Sequence, residues 1–78
     1  MKSRKPALNE LFGVNVKLER TRQRLTQEQL AALVKTEQPY LSKVERGLVV
    51  PSLEFVERIA TALNVSPAAL LDESMGRR

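Results

Sequence analysis

Residues 26–47 read Thr26-Gln27-Glu28-Gln29-Leu30-Ala31-Ala32-Leu33-Val34-Lys35-Thr36-Glu37-Gln38-Pro39-Tyr40-Leu41-Ser42-Lys43-Val44-Glu45-Arg46-Gly47, and this stretch decides the fold. Thr26 suits an N-cap, and Gln29 three residues on completes a capping box, in which each side chain accepts from the other's backbone N–H. The spacing predicts a helix of about two turns with Leu30, Ala31, Leu33 and Val34 as its apolar side, giving way near Lys35-Thr36. Glu37 then caps a second short helix. Pro39 is tolerated there because it falls in the first turn, where a missing N–H costs no bond. Leu41 and Val44, at i, i+3, turn that helix inward, and Gly47 ends it.

Two short helices joined by a tight turn form the unit that enters the DNA major groove. At about 100° per residue, burying Leu41 and Val44 places Gln38, Pro39, Ser42, Lys43 and Arg46 on the opposite face, with Tyr40 on the flank. That face holds an amide, a hydroxyl and two cations, and no acid. Gln38 suits bidentate pairing with adenine, Lys43 donation to guanine, and the Pro39 ring contact with a thymine methyl; Ser42 completes the base-facing set. Arg46, a turn further on, is better placed for a phosphate. A merely solvated helix face can carry the same side chains.

Outward from this unit the chain reads as all-α, with five short helices and no convincing strand. Leu8, Phe12 and Val16 recur at i, i+4 with Leu11 beside them, giving the first helix an apolar stripe. Arg20 continues that stripe, and Arg22 and Arg24 bring positive charge to the helix end. Leu48-Val49-Val50-Pro51 is a connector, too short and too close to proline for a strand. Ser52 caps a fourth helix with Phe55, Val56, Ile59, Ala60 and Leu63 as a wide stripe, and Asn64 is its left-handed terminator. Ser66-Pro67 starts a short fifth helix carrying Leu70 and Leu71. The domain is expected over residues 7–72, between a basic arm at 1–6 (Lys2, Arg4, Lys5) and a frayed tail at 73–78.

Composition narrows the function. Seventy-eight residues, 42% of them apolar, suffice for one compact domain and not for a deep substrate cavity. Without cysteine or histidine, the chain lacks the usual thiolate, general base and metal ligands. An enzyme, a metal site and a cofactor are therefore not expected. No run approaches a membrane span, and no apolar run with a cleavage site follows the basic N-terminus, so a cytoplasmic protein is expected. Net charge is +4, and residues 1–47 carry ten Lys/Arg against five acids while the remainder carries three against four. The positive excess thus lies with the arm and the first three helices, where a nucleic-acid partner would benefit from it.

The segments Leu25-Thr26-Gln27-Glu28-Gln29-Leu30-Ala31, Tyr40-Leu41-Ser42-Lys43-Val44-Glu45-Arg46-Gly47, Pro51-Ser52-Leu53 and Ile59-Ala60-Thr61-Ala62-Leu63 resemble the XRE-like, phage lambda-repressor-like helix-turn-helix family, from about Phe12 to Leu71. The resemblance implies a five-helix DNA-binding fold. It also implies that Gln27 contacts a phosphate and supports Gln38, and that Arg20 and Glu45 form a buried ion pair joining the first and third helices. Thr26, Tyr40, Arg46, Arg24 and Lys35 complete the expected phosphate contacts. Arg24 and Lys35 stand where the family commonly has glycine, so either they take a left-handed conformation or the turn differs. Pro39 replaces a small polar residue, at the loss of a hydrogen bond to a base. Glu19 stands where an apolar residue is usual, and Leu18 is apolar where the wheel points outward.

The partners expected are double-stranded DNA and a second copy of the chain, since one unit touches too few bases for strong specificity. RNA polymerase is a further partner where an operator lies just upstream of a promoter. Candidates for the dimer interface are Val49, Val50, Val65, Ala68, Ala69 and Leu70. Within the family, size and bare architecture look most like a restriction-modification controller or a small autoregulator. The competing reading is an antitoxin-type module that chiefly binds a protein; it favours a long wrapping extension, and seven residues follow Leu71.

Overall fold

The computed structural model describes residues 7–73; the basic arm and most of the frayed tail lie outside them. Four α-helices follow one another: α1 (Leu8–Arg22), α2 (Gln27–Leu33), α3 (Gln38–Glu45) and α4 (Leu53–Leu63). No strand occurs among the described residues, and none of their helices is long and apolar enough to cross a membrane. The expected fifth helix is a 3-10 helix over Pro67–Leu71. Its turn closes through a bond from Ala69 N to Ser66 O at 3.0 Å, three residues back, while Asn15 Nδ2 on α1 donates to Leu70 O at 2.8 Å and to Asp72 O, just past the helix, at 3.0 Å.

The core joins Phe12 and Val16 of α1, Leu30, Ala31 and Val34 of the α2 region, Leu41 and Val44 of α3, Phe55, Ile59, Ala60 and Leu63 of α4, and Leu70. Three expected positions are corrected. Leu8 and Leu33 are exposed; Gly13 and Asn15 share the buried side of α1 with Phe12 and Val16, turning its stripe away from Leu8. Leu70, expected at the dimer interface, is buried completely within the single chain. Its burial follows from the Asn15 clamp, which pulls the 3-10 helix against α1.

Helix starts follow the sequence signals. Thr26 Oγ1 accepts from Gln29 N at 3.0 Å while Gln29 Oε1 accepts from Thr26 N at 2.8 Å. Ser52 Oγ and Ser66 Oγ accept from Phe55 N and Ala69 N. Glu37 occupies the N-cap position of α3 without a side-chain bond.

All four α-helices end alike, with a left-handed residue followed by a bond reaching five residues back, the Schellman arrangement. The left-handed residues are Arg24, Lys35, Gly47 and Asn64, at φ 63°, 59°, 73° and 58°. The closing bonds run from Leu25 N to Arg20 O, Thr36 N to Ala31 O, Leu48 N to Lys43 O and Val65 N to Ala60 O, at 2.9–3.0 Å. One of the four is glycine and one is asparagine, which adopts this conformation readily, so it is Arg24 and Lys35 that carry a steric cost of about 1–2 kcal/mol each. Each stop is also held by a side chain. Arg20 Nη1 donates to Leu25 O, Asn9 Nδ2 to Gly47 O and Gln23 Nε2 to Leu63 O, at 2.7–2.9 Å. Arg58 Nη2 donates to Val34 O and Lys35 O.

Gly13 sets how closely α1 meets the end of α3. A Cβ there would fall 2.3 Å from Val44 O and 2.7 Å from Glu45 O. No side chain fits, and this approach brings Arg20, two turns along α1, to Glu45.

Candidate nucleic-acid interface

The Arg20 guanidinium grips the Glu45 carboxylate with both arms, Nε to Oε2 at 2.7 Å and Nη2 to Oε1 at 3.0 Å. The side chains retain 12% and 2% of their accessible surface, so the pair is largely desolvated. Such pairs persist only with good geometry and further bonds to their remaining donors and acceptors. Both conditions hold here. Arg20 Nη1 is occupied by Leu25 O, and Glu45 Oε1 accepts a second bond, from Gln27 Nε2 at 3.0 Å.

That second bond orients the interface. Glu45 as a carboxylate only accepts, so the Gln27 amide turns its nitrogen inward and its Oε1 outward. Gln27 Oε1 in turn accepts from Gln38 Nε2 at 2.5 Å. A continuous chain therefore runs from Arg20 in α1 through Glu45 and Gln27 to Gln38, the first residue of α3. Every bond in it follows from the donor inventory once the carboxylate is fixed. Gln38 keeps its carbonyl oxygen and one N–H uncommitted within this chain.

On the remainder of α3, Pro39 and Lys43 are exposed, and Gln38, Tyr40 and Ser42 are half-buried. Tyr40 is held edge-on against Phe55 of α4, with ring centroids 5.3 Å apart and planes at 85°. Arg46, just past the helix, is exposed and bends back to Ser42 O at 3.4 Å. Arg24, Thr26 and Lys35 are exposed, while Gln27 is half-buried by its bonds. Glu45, the one acid of α3, is inside and paired. The exposed acids of this region are Glu28 and Glu37, neither on the outward face of α3. At positions 24 and 35 the left-handed alternative holds, so these two cations project from helix stops.

Four structural contributors went unread in the sequence. Gly13 and Asn15 looked like ordinary helix residues, though a glycine and an asparagine on an apolar stripe do signal a close approach and a buried clamp. Gln23 joins Glu19 Oε2 to Leu63 O, which explains a polar Glu19 where an apolar residue is usual. Arg58 serves a turn more than twenty residues away, and no local pattern announces that.

A family model described as a helix-turn-helix domain matches residues 11–73, all of the described structure except the first residues of α1 and its cap. The chain belongs to the helix-turn-helix domain family. Its α2 and α3 are the paired helices of a DNA-binding transcription regulator, and α3 is the one with the exposed polar face. The chain is 40% identical over 63 residues to control protein C.BamHI of Bacillus amyloliquefaciens, covering 80% of this chain and 78% of that one. Among solved structures it resembles the restriction-modification controller protein C.AhdI from Aeromonas hydrophila, at TM-score 0.76 and 37% identity, over 80% of this chain and 94% of that one. It also resembles the clp gene regulator ClgR from C. glutamicum, at TM-score 0.85 and 32% identity, over 94% and 95% of the two chains.

Proposed function

We propose that this helix-turn-helix domain reads a pseudo-palindromic DNA operator as a homodimer and controls transcription from an adjacent promoter, in the manner of a controller protein. The observation that carries the base-reading part is the orientation of Gln38. With one N–H committed to Gln27, its amide presents a carbonyl oxygen and an N–H side by side, the complement of adenine N6 and N7. Lys43 donates to guanine, Ser42 reads the neighbouring position, and the Pro39 ring meets a thymine methyl. At the start of α2 a phosphate is held by the open backbone N–H groups of the first turn, that of Gln27 among them, beside the Thr26 hydroxyl, where the helix dipole also favours an anion. Arg24, Lys35, Tyr40 and Arg46 add further phosphate contacts.

The second copy docks on the apolar face beside the end of α3. Leu8, Val50, Leu53 and Leu71 keep 67%, 82%, 83% and 39% of their surface exposed. With Phe12 and Val56 they line a groove of about 200 Å³. Adjacent exposed apolar side chains on so small a domain favour association. The connector carrying Val50 leaves directly from α3, so a two-fold axis here sets two copies of α3 side by side, as half-sites one helical turn apart require. Of the other expected interface positions, Ala68 is exposed, whereas Val49, Val65 and Ala69 are partly covered by their own chain.

Selection from a random duplex library tests the whole reading. Recovered sequences should share an inverted repeat with half-site centres about ten base pairs apart and an adenine at one position of each half. Recovery of unrelated sequences, or of a single unrepeated site, contradicts it.

A further inference from the structure

Of the four helix stops, three are braced from α1: by Arg20, by Asn9 and by its C-cap residue Gln23. The turn between α2 and α3 is the exception, braced by Arg58 in the middle of α4. Its donor Nη2 meets Val34 O and Lys35 O, carbonyls that the end of α2 leaves without helical partners. The last turn of α2 has no basic residue of its own, so Arg58 also supplies the positive charge that a helix C-terminus favours. The same guanidinium lies 5.7 Å from the centre of the Phe55 ring, which also meets Tyr40 on α3 edge-on. One side chain of α4 thereby touches the end of α2 directly and the flank of α3 through one ring.

We infer that Arg58 is a positioning residue for DNA recognition. It holds the Lys35 turn in its left-handed form and so fixes the register between the phosphate-holding start of α2 and the base-reading start of α3. The inference rests on the DNA-binding reading above and adds a part of the machinery that lies outside the two recognition helices. Without the brace, a non-glycine residue at φ 59° has less to hold it, and the turn opens more often. Gln27 and Gln38 then depart from a common geometry although neither has been altered. The operator, which needs both, suffers; unrelated DNA, held by phosphates in many arrangements, does not.

Arg58→Ala and Arg58→Lys are compared with the wild-type protein by two measurements. The first is amide hydrogen exchange at Lys35 and Thr36, whose N–H groups bond to Ala32 O and Ala31 O across the turn. The second is affinity for a selected operator and for an unrelated duplex at two salt concentrations. In Arg58→Ala, exchange at these two amides should rise about tenfold, and the operator preference should fall about tenfold with an unchanged salt slope. Arg58→Lys, which keeps a charged donor for the same carbonyls, should recover part of both. Unchanged exchange overturns the inference, as does raised exchange with an intact operator preference. A salt slope smaller by about one also overturns it, because Arg58 would then be a direct phosphate contact. Wild-type protein with no preference for any duplex overturns the DNA-binding reading itself, and the exchange result shows separately whether the brace exists.

Discussion

Gln38 Nε2 donates to Gln27 Oε1 at 2.5 Å, so the first residue of α3 is bonded to the first residue of α2. The bond spans the two helix starts rather than the turn between them. Its orientation is inherited from Glu45, which takes the Gln27 nitrogen, and from Arg20, which holds Glu45. The orientation of Gln38 at the surface thus depends on a buried charge pair one layer below.

That dependence separates stability from binding. Glu45→Ala leaves the Arg20 guanidinium buried without its partner and should cost about 3–5 kcal/mol in urea unfolding. Replacing both residues, as Arg20→Met with Glu45→Leu, removes the charge from the core and should recover most of that loss. The double variant nevertheless strips Gln27 of its acceptor. It should fold and still lose operator preference, measured as the ratio of specific to unrelated duplex affinity.

Gly13→Ala tests the close approach of α1 and α3. The added carbon meets backbone oxygen rather than a yielding side chain, so the helices must separate. A loss of at least about 1–3 kcal/mol is expected, seen as a fall of roughly 4–8 °C in Tm per kcal/mol for a domain of this size.

Arg24→Gly should move stability and binding in opposite directions. Glycine takes the left-handed stop without the steric cost, for a gain of up to about 1 kcal/mol. The same change removes an exposed cation, so affinity for any duplex should drop and the salt slope should fall by about one. Equal or stronger DNA binding by this variant removes Arg24 from the phosphate contacts.

Much of this was legible in the sequence because it is local. The Thr26–Gln29 capping box, Pro39 in a first turn and Asn64 as a left-handed stop are short-range signals, each set by backbone chemistry within four residues. The charge of Arg20 on an apolar stripe was visible as an anomaly, and the resemblance supplied its partner. What stayed hidden is set by tertiary approach. Leu8 and Leu33 lie on apolar stripes yet remain outside, because Gly13 and Asn15 fix which face of α1 is buried and α2 is too short to cover both flanks. The last segment reads as a helix by composition, but it makes only a short 3-10 helix, whose end is clamped to α1 by Asn15.

The apolar face around the connector should carry the dimer. Val50→Asp and Leu53→Glu place charge on side chains that are 82% and 83% exposed, so Tm at low protein concentration should change little, within about 0.5 kcal/mol of stability. Sedimentation should show a shift to monomer, with weaker operator binding and an unchanged intrinsic affinity for unrelated DNA. Dimers that survive both changes place the interface elsewhere.

Gln38, oriented through Gln27, is expected to read a base. The measurement is the ratio of affinities for a selected operator and an unrelated duplex, at one salt concentration, for the wild-type protein and Gln38→Ala. The wild type should show a ratio of about 10³ or more. Gln38→Ala should show a ratio at least about tenfold smaller, with affinity for the unrelated duplex retained. An undiminished ratio in Gln38→Ala would mean that Gln38 reads no base.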